Sequence, residues 1–495
     1  MRASGILMHI TSLPSPYGVG TLGKESYKFV DFLKKAGQQY WQILPLTPTG
    51  YGDSPYQSCS TYAGNHYLID LDLLVEEGLL KTEEITQYQW GDNPNRTDFG
   101  LLYENRLRVL RCAFDRFTDF EGLDAFCRKN SNWLPDFALF MALKSQNGGK
   151  PWYQWEEPLK RREPEAIWQA RKALKDEIKF HYFLQYVFDM QWQSLRQYAH
   201  EAGVSIIGDV PIYVPYDSSD VWSNAEWFWL DEDLQPVAVA GCPPDDFNAD
   251  GQLWGNPLYL WELHKKDGYS WWLQRLKGAA ERYDMIRIDH FRGFAGYYAV
   301  PFGAENAVNG QWLKGPGMDF IGAVKKAMPD TPMIAEDLGF LTEDVHQLRE
   351  DSGYPGMKVL EFAFDADSNN EYLPHTYKKN TVCYTGTHDN MPLKQWFEQS
   401  GEKTVTFAKK YVAEQDPIWG MIRLCMASVS ELSVVQMQDY LALGADARMN
   451  FPGTRSGDNW TWRAGKNYLN DTLAARIKEL TGTYGRLAEA TRNGD

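Results

Sequence analysis

The sequence predicts an α/β fold: a (β/α)8 barrel of the TIM type, with inserted, largely helical subdomains over the carboxyl-terminal face of its strands. Three observations predict it, namely eight short apolar runs, helical patterns between several of them, and acids at the ends of four. The runs are Gly5 to Ile10, Tyr40 to Leu46, Ser205 to Val210, Met285 to His290, Pro332 to Leu338, Met357 to Phe364, Thr381 to Thr387 and Met437 to Leu443. Continuous apolar strands separated by helices indicate a parallel sheet buried on both faces, and eight such units suggest a closed barrel.

The chain has 495 residues, and a typical barrel needs only about 250, so the excess has to lie in insertions. The range 82–198, between the second and third runs, is charged, helical and rich in tryptophan, and predicts a helical insertion. The range 215–284, between the third and fourth runs, predicts a second insertion with a Pro/Gly-rich lid loop at 241–257. Little chain follows the eighth run, so we expect one catalytic barrel over 1–495 with no carboxyl-terminal β-sandwich.

Composition and charge exclude several classes of protein. No apolar run approaches the roughly eighteen residues of a membrane span, and the first run is too short for a secretion signal, so we expect a cytoplasmic protein that binds no membrane. The formal net charge of −16 disfavours nucleic acid, which would be repelled. The six cysteines lack metal-ligand spacing and predict buried thiols rather than disulfides or zinc.

Aromatic residues are abundant and lie in polar, loop-like stretches. They make up 14% of the chain, with 19 tryptophans. Most large aromatics serve core packing, but the stretches GYGDSPYQS, DGQLWGNPLYLW and SGDNWTW place Tyr and Trp beside Asp, Asn and Gly. That combination suits sugars, whose apolar faces stack on rings while their hydroxyls take hydrogen bonds.

Four of the apolar runs end on an acid. These are Asp209 on the third run, Asp289 on the fourth, Glu336 on the fifth and Asp389 on the seventh. One such acid is more often a helix N-cap or a solvated turn. Four of them would converge at the face of a barrel where catalytic groups lie.

Two of these acids have neighbours that predict opposite roles. Arg287 and Asp289 alternate on one strand and face the same side, so Arg287 would lower the pKa of Asp289 and keep it ionised, as a nucleophile requires. Glu336 follows Ile334 and Ala335, and a less polar pocket would raise its pKa, as a general acid requires. Such a pair cleaves glycosides, with retention if the carboxyl groups lie about 5 to 5.5 Å apart.

Other polar residues at the strand ends have two possible roles each. Asp389 would be the third acid of the site. His290 and His388 each adjoin an acid and could bind sugar hydroxyls or be packed structural residues. Asp209 could serve only to brace Arg287, whose own simplest role is a structural ion pair.

The same residues are also compatible with two other classes of protein. Acids on the third, fourth and fifth strands also describe an enolase-type barrel, in which Asp209, Asp289 and Glu336 would hold Mg²⁺ with His388 as the base. Arg287 would compete with that metal, and no strand-borne lysine offers a partner base. A glucan-binding module without catalysis would need the aromatic loops but not the acids.

Eight motifs occur in a fixed order along the chain: HITSLPSPYGVG, LPLTPTGYGDSPYQSCSTYAGN, IIGDVPIYV, GQLWGNPLY, IRIDHFRGF, IAEDLG, GTHDN and RMNFPGT. With them the sequence resembles the amylomaltases, the 4-α-glucanotransferases of the α-amylase clan, over essentially its whole length. The resemblance implies that Asp289 is the nucleophile, Glu336 the acid/base and Asp389 the acid that stabilises the distorted sugar.

The resemblance also implies a set of substrate-binding residues. They are Arg287, His290 and His388 at the cut, Asp209 on the third strand, Tyr56 stacking on the sugar beside the cut, Trp254 over the acceptor side, Tyr51 in a secondary glucan-binding groove, and Asn450 on the donor side.

The choice between transfer and hydrolysis is not set by the acids, because water or a sugar 4-hydroxyl can attack the same intermediate. Transfer is therefore implied by the resemblance, and an α-amylase-type hydrolase is the alternative. The implied partners are α-1,4-glucans and maltooligosaccharides, with glucose as an acceptor. No cofactor or metal is implied, and the sequence predicts no oligomeric state.

Overall fold

The structure, a computed structural model, describes residues 2–50, 52–244, 249–339, 341–365, 367–454 and 457–488. Its strands are β1 (Ala3–Leu7), β2 (Tyr40–Gln42), β3 (Ser205–Pro211), β4 (Ala238–Cys242), β5 (Gln252–Pro257), β6 (Met285–Asp289), β7 (Gly296–Pro301), β8 (Gln311–Lys314), β9 (Met333–Ala335), β10 (Gly356–Val359), β11 (Thr381–Tyr384) and β12 (Leu432–Gln436). Eight of them close into a barrel in the order β1-β12-β11-β10-β9-β6-β3-β2, and every pairing in it is parallel. The predicted fold class is confirmed.

The helices are α1 (Lys24–Lys35), α2 (Leu71–Glu76), α3 (Thr82–Thr86), α4 (Phe99–Arg116), α5 (Phe120–Lys129), α6 (Leu134–Gln146), α7 (Glu157–Lys160), α8 (Pro164–Ala173), α9 (Lys175–Glu201), α10 (Ser219–Ser223), α11 (Trp261–Lys266), α12 (Ser270–Arg282), α13 (Gly317–Ala327), α14 (Glu343–Ser352), α15 (Leu393–Gln399), α16 (Glu402–Val412), α17 (Pro417–Ala427), α18 (Met437–Tyr440) and α19 (Asp471–Thr483). None of these helices is long and apolar enough to cross a membrane. Three of the six cysteines are buried as predicted, and the other three are partly exposed.

Strand register brings the polar strand ends together. In the β3–β6 pair Asp209 lies beside Arg287, and in the β6–β9 pair Ile288 lies beside Ala335. Glu336 directly follows Ala335, so its side chain emerges next to the end of β6. Because parallel strands present their carboxyl ends at one face, this register assembles the polar groups at the mouth of the barrel.

The prediction of the eighth strand at Met437 to Leu443 is wrong. The strand is β12, with the sequence LSVVQ, and Met437–Tyr440 forms the short helix α18. Apolar side chains at 437, 440 and 441 recur at helical spacing, whereas the two valines of β12 are β-branched and fully buried. After β12 the described chain forms α18, a short 3-10 helix at Ala445–Ala447, α19 and irregular segments.

The range 82–198 contains α3 to α8 and most of α9. Helix α9 runs from this range to Glu201, shortly before β3, with buried residues along its length. The division of the chain into barrel and insertions stays a prediction.

The range 215–284 contains strands as well as helices. Strands β4 and β5 belong to an antiparallel sheet of order β5-β4-β7-β8, whose other two strands follow β6. The predicted lid loop at 241–257 is therefore largely a hairpin, because β4 continues to Cys242 and β5 begins at Gln252. Its tip, residues 245–248, lies outside the described residues. Local patterns missed this sheet because its central pairing joins strands on opposite sides of β6 in the sequence.

Candidate active site

An arginine and two acids form an ion-pair network at the ends of β3 and β6. Arg287 Nη1 donates to both carboxylate oxygens of Asp209, at 2.8 and 2.7 Å, and to Asp289 Oδ1 at 3.0 Å. The side chains of Asp209 and Arg287 are 0% and 4% exposed, whereas that of Asp289 is 28% exposed. Asp289 is therefore the acid of this network that faces the open barrel mouth.

Glu336 is held beside Asp289 by the backbone. Its Oε2 accepts a hydrogen bond from the backbone N–H of His290 at 2.6 Å, and its Oε1 accepts one from Leu338 N–H at 3.0 Å. His290 adopts a left-handed conformation, with φ of 53°, where β6 ends. Since His290 directly follows Asp289, the two acids occupy neighbouring positions fixed by main-chain contacts.

Burial dominates the pKa values of both acids. It raises the pKa of Asp289 to about 8, against the opposing charge of Arg287. Arg287 lowers this pKa as predicted, but burial outweighs it, so the prediction that Arg287 would keep Asp289 ionised is wrong. Its guanidinium is shared with both oxygens of Asp209, and the negative charges of Asp209 and Glu336 add to the effect of burial. Burial also raises the pKa of Glu336, which confirms the expected direction, although Arg287 and the two backbone donors oppose the rise.

The acid on the opposite side of the mouth is held by loop residues. Asp389 follows β11 in a turn, and its side chain is 43% exposed. Its Oδ1 accepts a hydrogen bond from Asn450 Nδ2 at 2.7 Å and lies 3.3 Å from His388 Nε2. Asn450 thus contacts an acid of the site, and its predicted contact with the donor sugar stays a prediction.

Tyr56 connects the two sides of the mouth. Its ring stacks on that of His388, with centroids 5.0 Å apart and planes 15° apart, and its hydroxyl donates to Asp209 Oδ2 at 2.8 Å. The predicted stacking of Tyr56 on a sugar is not tested by these contacts.

The hairpin of β4 and β5 also reaches the site. Trp254, on β5, packs edge-on against the His290 ring at 4.8 Å between centroids. This contact brings Trp254 to the residue that follows Asp289. Tyr51 lies outside the described residues, so its predicted role has no structural counterpart here.

Two further residues of the site escaped the sequence analysis. Arg448 donates to the backbone oxygens of Asp389 and Asn450, at 3.0 and 2.8 Å, and so joins two loops. Trp460 packs near the rings of Tyr56 and His388, at 5.8 and 6.0 Å between centroids. Both residues belong to stretches noted above, Arg448 to RMNFPGT and Trp460 to SGDNWTW. Neither stretch follows a strand directly, so the strand-end pattern did not select them.

The arrangement favours acid/base and nucleophilic chemistry over an enolase-type site. Arg287 lies between Asp209 and Asp289, the position that the enolase-type hypothesis assigned to a metal ion. Across the described part of the chain, no three His, Cys, Asp or Glu side chains are grouped so that they could hold a metal.

Comparison with known proteins gives consistent matches over most of the chain. The family model described as 4-alpha-glucanotransferase matches residues 8–467. The 4-alpha-glucanotransferase of Clostridium butyricum is 47% identical over 487 residues, covering 97% of this chain and 100% of that protein. The 4-alpha-glucanotransferase of Thermus thermophilus is 45% identical over 502 residues, covering 98% and 99%.

A solved structure agrees with these matches. The amylomaltase from Streptococcus agalactiae in complex with acarbose superposes with a TM-score of 0.96 at 43% identity, covering 99% of this chain and 100% of that one.

Proposed function

The chain belongs to the 4-alpha-glucanotransferase family, and from this premise we propose that Asp289, Glu336 and Asp389 carry out the family's reaction here. The protein is an enzyme that transfers segments of α-1,4-glucan from a donor chain to an acceptor. The observation that carries the assignment of residues is the hydrogen bond from the amide of His290 to Glu336. It keeps an acid beside Asp289, as a double-displacement reaction needs.

In the first step Asp289 acts as the nucleophile. Its carboxylate attacks C1 of the donor glucosyl unit, the bond from C1 to the glycosidic oxygen breaks, and Glu336 gives its proton to that oxygen. The leaving segment departs with a free 4-hydroxyl, and the remaining segment is bound to Asp289 as a covalent glucosyl ester. The partial exposure of Asp289, in contrast to buried Asp209, supports this choice of nucleophile.

In the second step Glu336 acts as the base. The 4-hydroxyl of an acceptor gives its proton to Glu336 and attacks C1, and the bond between C1 and Asp289 breaks. Two inversions at C1 restore the α configuration. Maltooligosaccharides and glucose are the proposed acceptors, since each carries the required 4-hydroxyl.

The number of protons that Asp289 and Glu336 hold together suits this two-step reaction. The reaction needs one proton on the pair, carried by Glu336 when Asp289 attacks. Burial raises the pKa of both acids, so the pair retains a proton around neutral pH. Arg287 offsets the charge of Asp289 once that acid is ionised.

The remaining residues would bind and orient the sugar. Asp389 is the most exposed of the three acids, and its carboxylate would stabilise positive charge that develops at C1 in the transition state. His388 and His290 would take sugar hydroxyls, and Tyr56 and Trp254 would contact sugar faces. A single catalytic barrel over 1–495 and a cytoplasmic location complete the proposal.

Product analysis tests transfer against hydrolysis. Incubated with maltotriose alone, the enzyme should produce glucose and a ladder of longer maltooligosaccharides. Chains that only shorten, with reducing ends rising at every cut, would instead identify an α-amylase-type hydrolase.

A trapping experiment tests the two acids separately. In Glu336→Gln, α-maltotriosyl fluoride should still form the ester, because fluoride leaves without a proton, and peptide mass spectrometry should find the sugar on Asp289. Sugar on any other residue, or an equal yield of adduct in Asp289→Asn, would contradict the assignment.

A further inference from the structure

The loop that carries Asp389 joins β11 to α15, and we call its residues, 385–393, the acid loop. Its tip is organised by its own side chains, because Asn390 Oδ1 accepts hydrogen bonds from the Thr387 N–H at 2.9 Å and from the Thr387 hydroxyl at 2.8 Å. These contacts shape the tip but do not tie it to the barrel. The position of the Asp389 carboxylate therefore depends on contacts from outside the loop.

A buried acid on α18 contacts both ends of the acid loop. Asp439 is completely buried, its Oδ2 accepts a hydrogen bond from the Thr385 hydroxyl at 2.6 Å, and its Oδ1 accepts one from the Leu393 N–H at 2.7 Å. Thr385 directly follows β11, and Leu393 is the first residue of α15. One carboxylate thus bridges the residues at which the loop begins and ends.

An acid at position 439 is unfavourable for the fold when considered by itself. Both of its hydrogen-bond partners are neutral, and burial raises the pKa of Asp439 to about 7 although these partners oppose the rise. Burying an acid without a charged partner carries a desolvation cost that an apolar side chain avoids. Packing alone therefore does not explain an acid here, and neither step of the reaction at Asp289 and Glu336 uses it.

The segment that supplies Asp439 also holds the middle of the acid loop. Within residues 437–450, Arg448 donates to the backbone oxygen of Asp389 at 3.0 Å, and Asn450 donates to Asp389 Oδ1 at 2.7 Å. The segment therefore contacts the loop at its first residue, at Asp389 and at its last residue. Together the loop and this segment form one connected unit around the exposed acid.

The path of the loop as it leaves β11 is confined. Gly386 lies against the side chains of Glu361, just after β10, and Gln436, the last residue of β12, and a Cβ at 386 would come within 2.7 Å of both. Thr385, the residue before this glycine, is the one that Asp439 holds. A change at Asp439 would therefore release the loop where its course is otherwise most closely defined.

We propose that Asp439 is a positioning residue for the transfer reaction, whose carboxylate fixes both ends of the acid loop and so sets where the Asp389 carboxylate lies relative to the reacting carbon. Asp439 touches neither the substrate nor the reacting atoms and acts through Asp389. The proposal rests on the proposed function, because it takes from it the role of Asp389 in stabilising charge at C1.

Steady-state kinetics of the full-length enzyme on maltotriose test the proposal. Asp439→Ala removes both hydrogen bonds, and kcat should fall about tenfold or more because small displacements at a reacting centre are costly, whereas KM should change by less than about threefold. Thr385→Val removes one of the two at nearly constant volume, and kcat should fall about threefold. Asp439→Asn keeps an acceptor for Leu393 and a polar group for Thr385, so it should recover most of the rate lost in Asp439→Ala.

A double-mutant cycle tests whether Asp439 acts through Asp389. The substrate is α-maltotriosyl fluoride, whose activated leaving group keeps the rate of Asp389→Asn measurable. In the Asp389→Asn background Asp439→Ala should slow fluoride release by less than about twofold, because the carboxylate that it would displace is already absent. Equal losses with and without Asp389 would overturn the proposal. Failure of the proposed function would appear separately, as full activity of Asp389→Asn by itself.

The matched control is Asp70→Ala. Asp70 is also a buried acid, and it accepts hydrogen bonds from the Thr21 hydroxyl at 2.5 Å and from the Leu73 N–H at 3.0 Å. Its removal should lower thermal stability as Asp439→Ala does but change kcat by less than about twofold. An equal loss of kcat in Asp70→Ala, or an unchanged kcat in Thr385→Val, would overturn the proposal. Circular dichroism and thermal unfolding establish folding, and Thr385→Val decides the question if Asp439→Ala does not fold.

Discussion

The two sides of the barrel mouth hold their acids in different ways. On the β3–β6 side Asp209 and Arg287 are strand residues, almost completely buried and joined by two hydrogen bonds. On the β11 side Asp389 lies in a turn, is 43% exposed, and depends on Asn450 from a separate loop.

This difference separates two tasks. Strand residues in a packed barrel cannot shift without disturbing the core, so the β3–β6 side is suited to set charge and geometry at the reacting carbon. Loop residues adjust more easily, so the β11 side is suited to close on sugars. Substitutions on the two sides should therefore differ in size and in which kinetic quantity they change.

The largest effect is expected for Asp289→Asn. Loss of the nucleophile should reduce kcat on maltotriose by about 10⁴-fold or more, measured by the rate of glucose release. The control is Asp319→Asn, an isosteric change of a 56% exposed carboxylate on α13, for which we expect less than about a twofold change. Similar rates for the two variants would remove Asp289 from the mechanism.

The next effect is expected for Asp209→Asn, which tests the buried side without removing a reacting group. Without that charge Arg287 would act more strongly on Asp289, whose pKa Asp209 raises. We expect kcat to fall about 10²-fold and the alkaline limb of the pH profile to move to lower pH. An unchanged profile would mean that Asp209 braces Arg287 without tuning the acids.

The pH dependence of the unmodified enzyme gives a smaller effect. Because the pKa of Asp289 is raised to about 8, the acid pair holds a proton below that pH and loses it above. Glu336 can then no longer protonate the leaving oxygen, so kcat/KM should fall about tenfold per unit above pH 8. A profile that stays flat to pH 10 would contradict the raised value.

The smallest effect is expected on the open side, for Asn450→Ala. Removing one hydrogen bond to half-exposed Asp389 should cost about 1 kcal/mol, or roughly a fivefold loss in kcat/KM. Asn450→Asp should be worse than Asn450→Ala, since it places a second negative charge beside Asp389. The reverse order would show that Asn450 acts elsewhere.

The sequence predicted the features that depend on short runs of neighbouring residues. Seven of the eight barrel strands follow from short apolar runs that each end in a turn or a polar signal, and four of those runs supply the acids of the site. The eighth strand was misplaced because two adjacent apolar stretches, 432–436 and 437–441, compete for the assignment, and only pairing with β1 and β11 decides between them. The antiparallel sheet was missed because its central pairing joins β4 to β7, which lie on opposite sides of β6 in the sequence.

The electrostatics of the site could not be predicted from neighbours along the chain. Arg287 does pair with Asp289, two residues away, but its shorter hydrogen bonds are with Asp209 on another strand. Burial, which follows from the closed barrel, then outweighs that pairing. Arg448 contacts Asp389 from a loop that is distant in sequence. No spacing pattern in the sequence predicts such a contact.

The hydrogen bond from the His290 amide to Glu336 has a consequence for which substitutions the activity tolerates. Because a main-chain N–H supplies it, any amino acid that tolerates the left-handed turn at 290 can preserve the alignment of the two reacting acids. The alignment of Glu336 with Asp289 thus depends on the backbone at 290 and not on the side chain there. Variants selected for other chain lengths or acceptors should accordingly still yield α-linked products.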